Sequence, residues 1–262
     1  MLRGLKCAAA AAIVSLAFAA VASAQTAGSR LDQIVSKGTL RVGMTGDYRP
    51  FTFFNKDTST FEGFDVDMAE ALGKALGVKV EFVKTSWPTM TKDFEADKFD
   101  IVTGGVSITL ERMKHGLFST PIMREGKTPI ARCGDVAKYQ TLEEIDKPDV
   151  RVIVNPGGTN EKFARDHLKN AKITVYKDNV TIFDQIAKGD ADLMMTDASE
   201  TRFQQKQHAG VLCSVHPDHP FDFSEKGIWI QRDEALKDFV NEWLHIMQET
   251  GGYKTIFARY FN

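Results

Sequence analysis

Arg151-Val152-Ile153-Val154-Asn155-Pro156-Gly157-Gly158-Thr159-Asn160-Glu161-Lys162-Phe163-Ala164-Arg165 is an apolar run that meets a Pro-Gly-Gly turn and passes through polar residues into a helical pattern. The order is strand, tight loop, helix start. Such a junction aims backbone N–H groups into the space beyond the strand, and the bare backbone of Gly157 and Gly158 leaves them accessible. Thr159 or Asn160 is expected to cap the helix and present a hydroxyl or an amide beside those donors. On this reading the corner receives an anion. Taken alone, a Gly-Gly turn is more often an ordinary strand-to-helix connection, so the rest of the chain has to decide.

The chain has 262 residues, 43% hydrophobic and 26% charged, enough for one or two cores and without the signature of disorder. With 33 Lys+Arg against 35 Asp+Glu, its net charge of -2 supplies no basic excess for nucleic acid or anionic lipid. Small-molecule partners are expected. Arg3 and Lys6 precede the apolar run Cys7 to Val21, and Ala22-Ser23-Ala24 offers the small residues of a cleavage site. Residues 1–24 therefore read as a secretory signal, and the run is short for a membrane span. A periplasmic protein without stable membrane association is expected. Cys7 leaves with the signal, so Cys133 and Cys213 remain as an even pair, read most simply as a disulfide in an oxidising compartment. No His or Cys spacing suits zinc, His216 and His219 being the closest histidine pair, and no metal is expected.

Working outward, Leu31 to Val35 predicts a short helix ending near Gly38, and Thr39 to Met44 a buried strand. The loop Thr45-Gly46-Asp47-Tyr48-Arg49-Pro50-Phe51 follows, placing Asp47 and Tyr48 past a strand end, where ligands collect in open α/β sheets; Asp47 is equally a simple turn residue. A helix runs to Gly77, and a strand from Val78 to Val83 leads into Thr85-Ser86-Trp87-Pro88. Trp87 serves there either as a ligand wall or as packing. Phe99 to Thr103 is a further strand, followed by Ser107-Ile108-Thr109-Leu110-Glu111-Arg112, whose guanidinium suits bidentate capture of a carboxylate beside the Ser107 and Thr109 hydroxyls. Thr141-Leu142-Glu143-Glu144 is a capping-box helix start. Strands over Ile173 to Tyr176 and ending at Thr196, a helix over Asn179 to Lys188, and two helices broken at Gly251-Gly252 complete the α/β pattern.

The order Gly-Asp-Tyr-x-Pro-Phe, Phe-x-Gly-Phe-Asp-Val-Asp, Phe-Asp-Ile, Ser-Ile-Thr-x-Glu-Arg and Phe-Ser-x-Pro resembles the periplasmic amino-acid-binding proteins of ABC importers over nearly the whole mature chain. The resemblance implies a two-lobe, type II periplasmic-binding-protein-like α/β fold with the site in the cleft. Lobe 1 would comprise residues 25–126 and 226–262, and lobe 2 residues 127–225, with crossovers near Lys127-Thr128-Pro129-Ile130 and Lys226-Gly227-Ile228-Trp229-Ile230. It further implies that Arg112 holds a ligand carboxylate and that Asp197 meets a ligand ammonium.

A narrower set is similar to the periplasmic cyclohexadienyl dehydratases: Thr-Gly-Asp-Tyr-x-Pro-Phe, Thr-Ser-Trp-Pro, Gly-Lys-Thr-Pro-Ile, Asn-Pro-Gly-Gly-Thr-Asn-Glu-Lys-Phe-Ala-Arg, Asp-Asn-Val-Thr-Ile-Phe and Asp-Leu-Met-Met-Thr-Asp-Ala-x-Glu. That family converts prephenate to phenylpyruvate and arogenate to phenylalanine without a cofactor. The resemblance implies that Glu200 is the proton donor, that Asp47 and Asn160 orient it or the substrate hydroxyl, and that Asn155 helps hold the site. Arg112 would clamp one carboxylate and Lys127 another, with Tyr48, Trp87, Ser107, Thr159 and Asp197 as further binding residues. Ile122 departs from a Tyr expected in the Phe-Ser-x-Pro-Tyr motif, which bears on substrate preference. The alternative is an amino-acid receptor that delivers its ligand to an ABC permease. The absence of a Gly-x-Ser-x-Gly elbow sets a serine hydrolase aside. Nothing in the sequence requires or forbids a homo-oligomer.

Overall fold

A computed structural model describes residues 28–261; the expected secretory signal at 1–24, with Cys7, lies outside the described residues. Local sequence sets the punctuation. Helix Arg30–Lys37 opens on a Ser29/Asp32 capping box and stops at Gly38, whose φ of 68° is left-handed. Helices Phe64–Leu76 and Ile182–Lys188 end the same way at Gly77 and Gly189. Thr141 caps Leu142–Ile145 in the expected capping box. Helices Glu234–Glu249 and Gly252–Phe261 break at the expected Gly251-Gly252.

Two five-stranded sheets share one plan. The first runs Lys79–Lys84, Thr39–Met44, Ile101–Val102, Trp229–Ile230, Leu117–Phe118, its first three strands parallel and Trp229–Ile230 antiparallel to both neighbours. The second runs Lys172–Val175, Arg151–Val154, Leu193–Asp197, Lys127–Arg132, Leu212–Ser214, again with three parallel strands and Lys127–Arg132 antiparallel to its neighbours. Strands buried on both faces read as unbroken apolar runs, and Leu193 to Asp197 is buried throughout. Separate cores form on the two sheets: Leu40, Val42, Phe64 and Leu72 lie in one, Val152, Val154, Leu193 and Met195 in another. Trp243 and Ile256 pack into the first core.

The two sheets are joined by an antiparallel ribbon of Met123–Glu125 with Ser224–Lys226, a few residues before the crossovers expected from the sequence. Lys127–Arg132 already belongs to the second sheet and Trp229–Ile230 to the first. Cys133 and Cys213 form a disulfide within the second half, with Cα atoms 4.7 Å apart. The segment read as a loop at Asp47 differs: Asp47–Tyr48 pairs with Thr52–Asn55, which pairs with Thr60–Glu62, in a small separate sheet. Strands of two to four residues are too short for an alternation pattern to reveal. The strand expected over Phe99 to Thr103 shrinks to Ile101–Val102 for a similar reason, since the apolar run is longer than the ladder it makes. Among the described residues no helix is long and apolar enough to cross a membrane.

Candidate active site

The parallel strands of both sheets end toward each other, so the loops after them meet. The first half delivers Asp47 and Tyr48, Trp87, and Gly105 with Ser107; the second delivers Asn155 to Asn160 and Asp197 to Glu200. Gly105 has a φ of 75°, and a Cβ there would stand 2.4 Å from the Tyr48 ring, so this turn requires glycine to seat Tyr48. Gly157 is also left-handed, and a Cβ would fall 2.7 Å from Pro88 Cα across the cleft. The lobes are closed on each other.

Asp197 is the hub. Its Oδ1 accepts from Lys127 Nζ at 2.6 Å, and its Oδ2 accepts from Lys226 Nζ at 2.5 Å and from the Tyr48 hydroxyl. Lys127 Nζ also donates to Thr159 Oγ1 at 2.9 Å and Asn160 Oδ1 at 2.5 Å, and Lys226 Nζ to Ser107 Oγ at 3.0 Å. Tyr48 and Ser107 come from one half, Thr159, Asn160 and Asp197 from the other, so the hub ties the lobes together. All three charged groups are buried. Burial would raise the Asp197 carboxyl, but the charges and hydrogen bonds of Lys127 and Lys226 outweigh it and hold the group ionised below the usual range. Burial lowers Lys127, with Asp197 opposing.

Glu200 lies in the first turn of helix Ala198–Gln207 and is 1% exposed. Its Oε2 accepts from Thr196 Oγ1 at 2.5 Å. Thr196 Oγ1 accepts from Asn160 Nδ2 at 3.0 Å, and the same amide donates to Asn155 Oδ1 at 3.0 Å. Asn160 is thereby fixed in one orientation, with its oxygen on Lys127 and both amide hydrogens used. Burial pushes the Glu200 carboxyl well above the ordinary range; the Thr196 bond opposes this, and the charges of Asp197 and Asp47 add to it. Asp47 is raised by burial too, while accepting from Trp87 Nε1 at 3.0 Å. The Trp87 edge meets the Tyr48 ring at 5.6 Å, so this tryptophan both packs and lines the cleft. Between Tyr48, Trp87, Gly158, Asn160, Asp197 and Lys226 the cavity measures about 10 Å³, the space of one water. A larger ligand enters only when the lobes part.

Arg112 Nη1 donates to the Ser107 carbonyl at 2.7 Å, and no other hydrogen bond engages its guanidinium among the described residues. Burial brings the group down to about 10, with Asp197 opposing, so it stays cationic. Two expectations are corrected. Neither Thr159 nor Asn160 caps helix Thr159–His167; Gly158 is the cap residue, and both side chains turn to Lys127. The Gly157 N–H of the expected anion corner is taken by Glu161 Oε2 at 2.8 Å. In the closed cleft the three donors of Lys127, expected to take a second carboxylate, are on Thr159, Asn160 and Asp197. Asp197, expected to meet a ligand ammonium, has both oxygens engaged by two lysines and Tyr48 while the cleft is closed. In addition, the Thr109 hydroxyl caps helix Leu110–Met113 by accepting from Arg112 N at 3.2 Å.

Three buried residues escaped the sequence reading: Lys226, Glu125 and Asp65. Asp65 Oδ2 accepts from Gly104 N at 2.8 Å and Gly105 N at 2.6 Å, which pins the turn beneath Tyr48, and burial raises its carboxyl to about 6. Glu125 Oε1 lies 3.8 Å from Lys226 Nζ. Their position beside the expected crossovers was the available signal for Glu125 and Lys226. Among the described residues no group of three or more metal-ligating side chains converges.

Residues 40–262 match the bacterial extracellular solute-binding proteins, family 3. The chain belongs to that family. Its two-lobe architecture is the type II periplasmic-binding-protein fold. Within this family the chain is 54% identical over 240 residues to the cyclohexadienyl dehydratase of Pseudomonas aeruginosa, covering 92% of this chain and 89% of that one. It is 28% identical over 233 residues to the L-cystine-binding protein of Escherichia coli, covering 88% and 85%. An ancestral amino acid-binding protein described as a precursor of cyclohexadienyl dehydratase superposes with a TM-score of 0.82 at 39% identity, over 89% of this chain and all of that one. An ancestral cyclohexadienyl dehydratase superposes at 0.56 with 52% identity, over 90% and 97%.

Proposed function

We propose that this protein is a periplasmic, cofactor-independent cyclohexadienyl dehydratase that converts prephenate to phenylpyruvate and arogenate to phenylalanine. The observation that carries the reading is Glu200, a fully buried carboxyl that burial pushes well above the ordinary carboxylate range, toward the protonated form. The reaction needs one proton. The ring C–CO2⁻ bond breaks, its electron pair enters the ring as the last π bond, and carbon dioxide leaves. The ring C–OH bond breaks with it, and Glu200 gives its proton to the departing oxygen, which leaves as water. Glu200 is left as a carboxylate and recovers a proton from solvent when the lobes open.

The other side chains have supporting roles. Thr196, held by Asn160, donates to one Glu200 oxygen and so fixes the carboxyl. Arg112 takes a substrate carboxylate as an always-charged fork. Lys127 and Lys226, neutralised in part by Asp197, leave the cleft centre electropositive, which favours a substrate with two carboxylates. Residues 25–126 with 226–262 form one rigid lobe in this reading and 127–225 the other, in line with their membership of separate sheets.

The family also contains amino-acid-binding relatives. Mixing the purified protein with prephenate and reading phenylpyruvate absorbance in alkali decides between dehydratase and receptor. Steady turnover supports the dehydratase, and binding without turnover would replace it by the receptor.

A further inference from the structure

Apart from bonds made by residues 123–126 and 224–226 around the joining ribbon, two hydrogen bonds cross between the lobes among the described residues. The Tyr48 hydroxyl donates to Asp197 Oδ2, and Asn179 Nδ2 donates to the Asp47 carbonyl at 2.9 Å. Both land on the two-residue strand Asp47–Tyr48, one on each residue. They differ in where they stand. Tyr48 and Asp197 line the cleft cavity, whose walls must move to admit a substrate; Asn179 is not part of that lining, so its bond can form with the cleft filled.

Asn179 sits in the turn between strand Lys172–Val175 and helix Ile182–Lys188. Asp178 Oδ1 accepts from Val180 N at 3.0 Å, which fixes that turn. Lys177, Asp178 and Val180 are exposed, whereas Asn179 is 2% exposed. As packing it is a poor plug, because its Oδ1 is buried without a partner, and a small apolar side chain would leave no such orphan. What an asparagine adds here is the donor to Asp47. The Asp47 carboxylate is held in turn by Trp87 Nε1 at 3.0 Å, and its charge is felt at Glu200.

We infer that Asn179 is a positioning residue for the reaction proposed above: a latch from lobe 2 onto the Asp47 carbonyl that holds the closed, substrate-filled cleft and keeps the Asp47–Tyr48 strand in register with Glu200. Its catalytic part rests on the dehydratase reading; the latch itself does not. Donor and acceptor belong to different lobes, so the bond breaks whenever the lobes part. It therefore stabilises the closed form alone and shifts the closed-to-open ratio by its own free energy. A hydrogen bond of ordinary net strength moves that ratio about five-fold.

The test uses the intact mature protein with one spin label on each lobe, and pulsed electron resonance reads the closed-to-open ratio with and without prephenate. Asn179→Ala should lower the ratio about five-fold. Asn179→Asp keeps the shape but turns a carboxylate oxygen toward the carbonyl, and should lower it at least as much. Lys177→Ala, in the same turn, should leave it unchanged. In prephenate turnover KM should rise about five-fold in both Asn179 variants, while kcat and the circular dichroism spectrum stay close to the parent's, since saturating substrate still closes the cleft. A ratio or a KM untouched by both variants, an Asn179→Asp protein that behaves as the parent, or a parent with no closed form in either condition would overturn the inference. If the protein proves not to turn over prephenate, the distance measurement still decides the latch, and only the dehydratase reading falls.

Discussion

Glu200→Gln separates proton donation from everything else Glu200 does. The side chain keeps its size, and its carbonyl oxygen can still accept from Thr196 Oγ1, which donates to the native carboxyl at 2.5 Å. Burial pushes the native carboxyl well above the ordinary range, toward the neutral form that the amide mimics, so the exchange should leave folding stability near the parent value. What is lost is the transferable proton. Removing a general acid costs about 10² to 10⁴ in rate, or roughly 2.7 to 5.4 kcal/mol of barrier at 1.36 kcal/mol per decade. The assay is phenylpyruvate release from prephenate at saturation, with substrate affinity measured in parallel by calorimetry. A kcat drop of that size with little change in affinity is expected. A variant within a few-fold of the parent kcat would refute the assignment, and a drop explained by lost binding would make Glu200 a binding residue.

Further outcomes follow from the same geometry. Asp65 has its folded pKa raised from 3.8 to about 6, so it contributes stability at low pH that is lost as pH rises through about 6. Chemical denaturation should show the parent losing about 3 kcal/mol relative to Asp65→Asn between about pH 4 and about pH 7. Lys127→Met strips Asp197 of one buried counter-charge and should destabilise by about 3–5 kcal/mol, read as a lower denaturation midpoint. Gly157→Ala places a Cβ 2.7 Å from Pro88 Cα and should hinder closure, with kcat/KM falling while the circular dichroism of the intact protein stays that of the parent. Reduction of Cys133–Cys213, which spans 80 residues, should cost about 4.5 kcal/mol on the loop-entropy relation, measured with and without reductant.

What was legible in the sequence was local. Gly38, Gly77 and Gly189 stop helices because only glycine enters the left-handed cap freely, and each stands where its helix pattern ends. The strand, turn and helix around Asn155 to Asn160 were readable for the same reason, and the motif resemblance placed Arg112, Asp197 and Glu200 near one another. The partnerships were not legible. Lys226 meets Ser107 across 119 residues and Tyr48 meets Asp197 across 149, and neither spacing nor periodicity carries such pairings. That is why Lys127 and Asp197 read as separate polar groups and not as the ion pair they form in the closed cleft. The Asp47–Tyr48 sheet was missed because two-residue strands leave no pattern.

The central claim is that Glu200, buried next to Thr196 and linked through it to Asn160 of the cleft wall, is an uncharged acid at neutral pH, and infrared difference spectroscopy reads that protonation state directly. The spectrum of the parent minus that of Glu200→Gln, recorded at pH 7, should contain the C=O stretch of a protonated carboxylic acid, and this band should fade only as the pH is taken well above neutral. A carboxylate stretch in its place at pH 7 would contradict the account, because an ionised Glu200 has no proton to give.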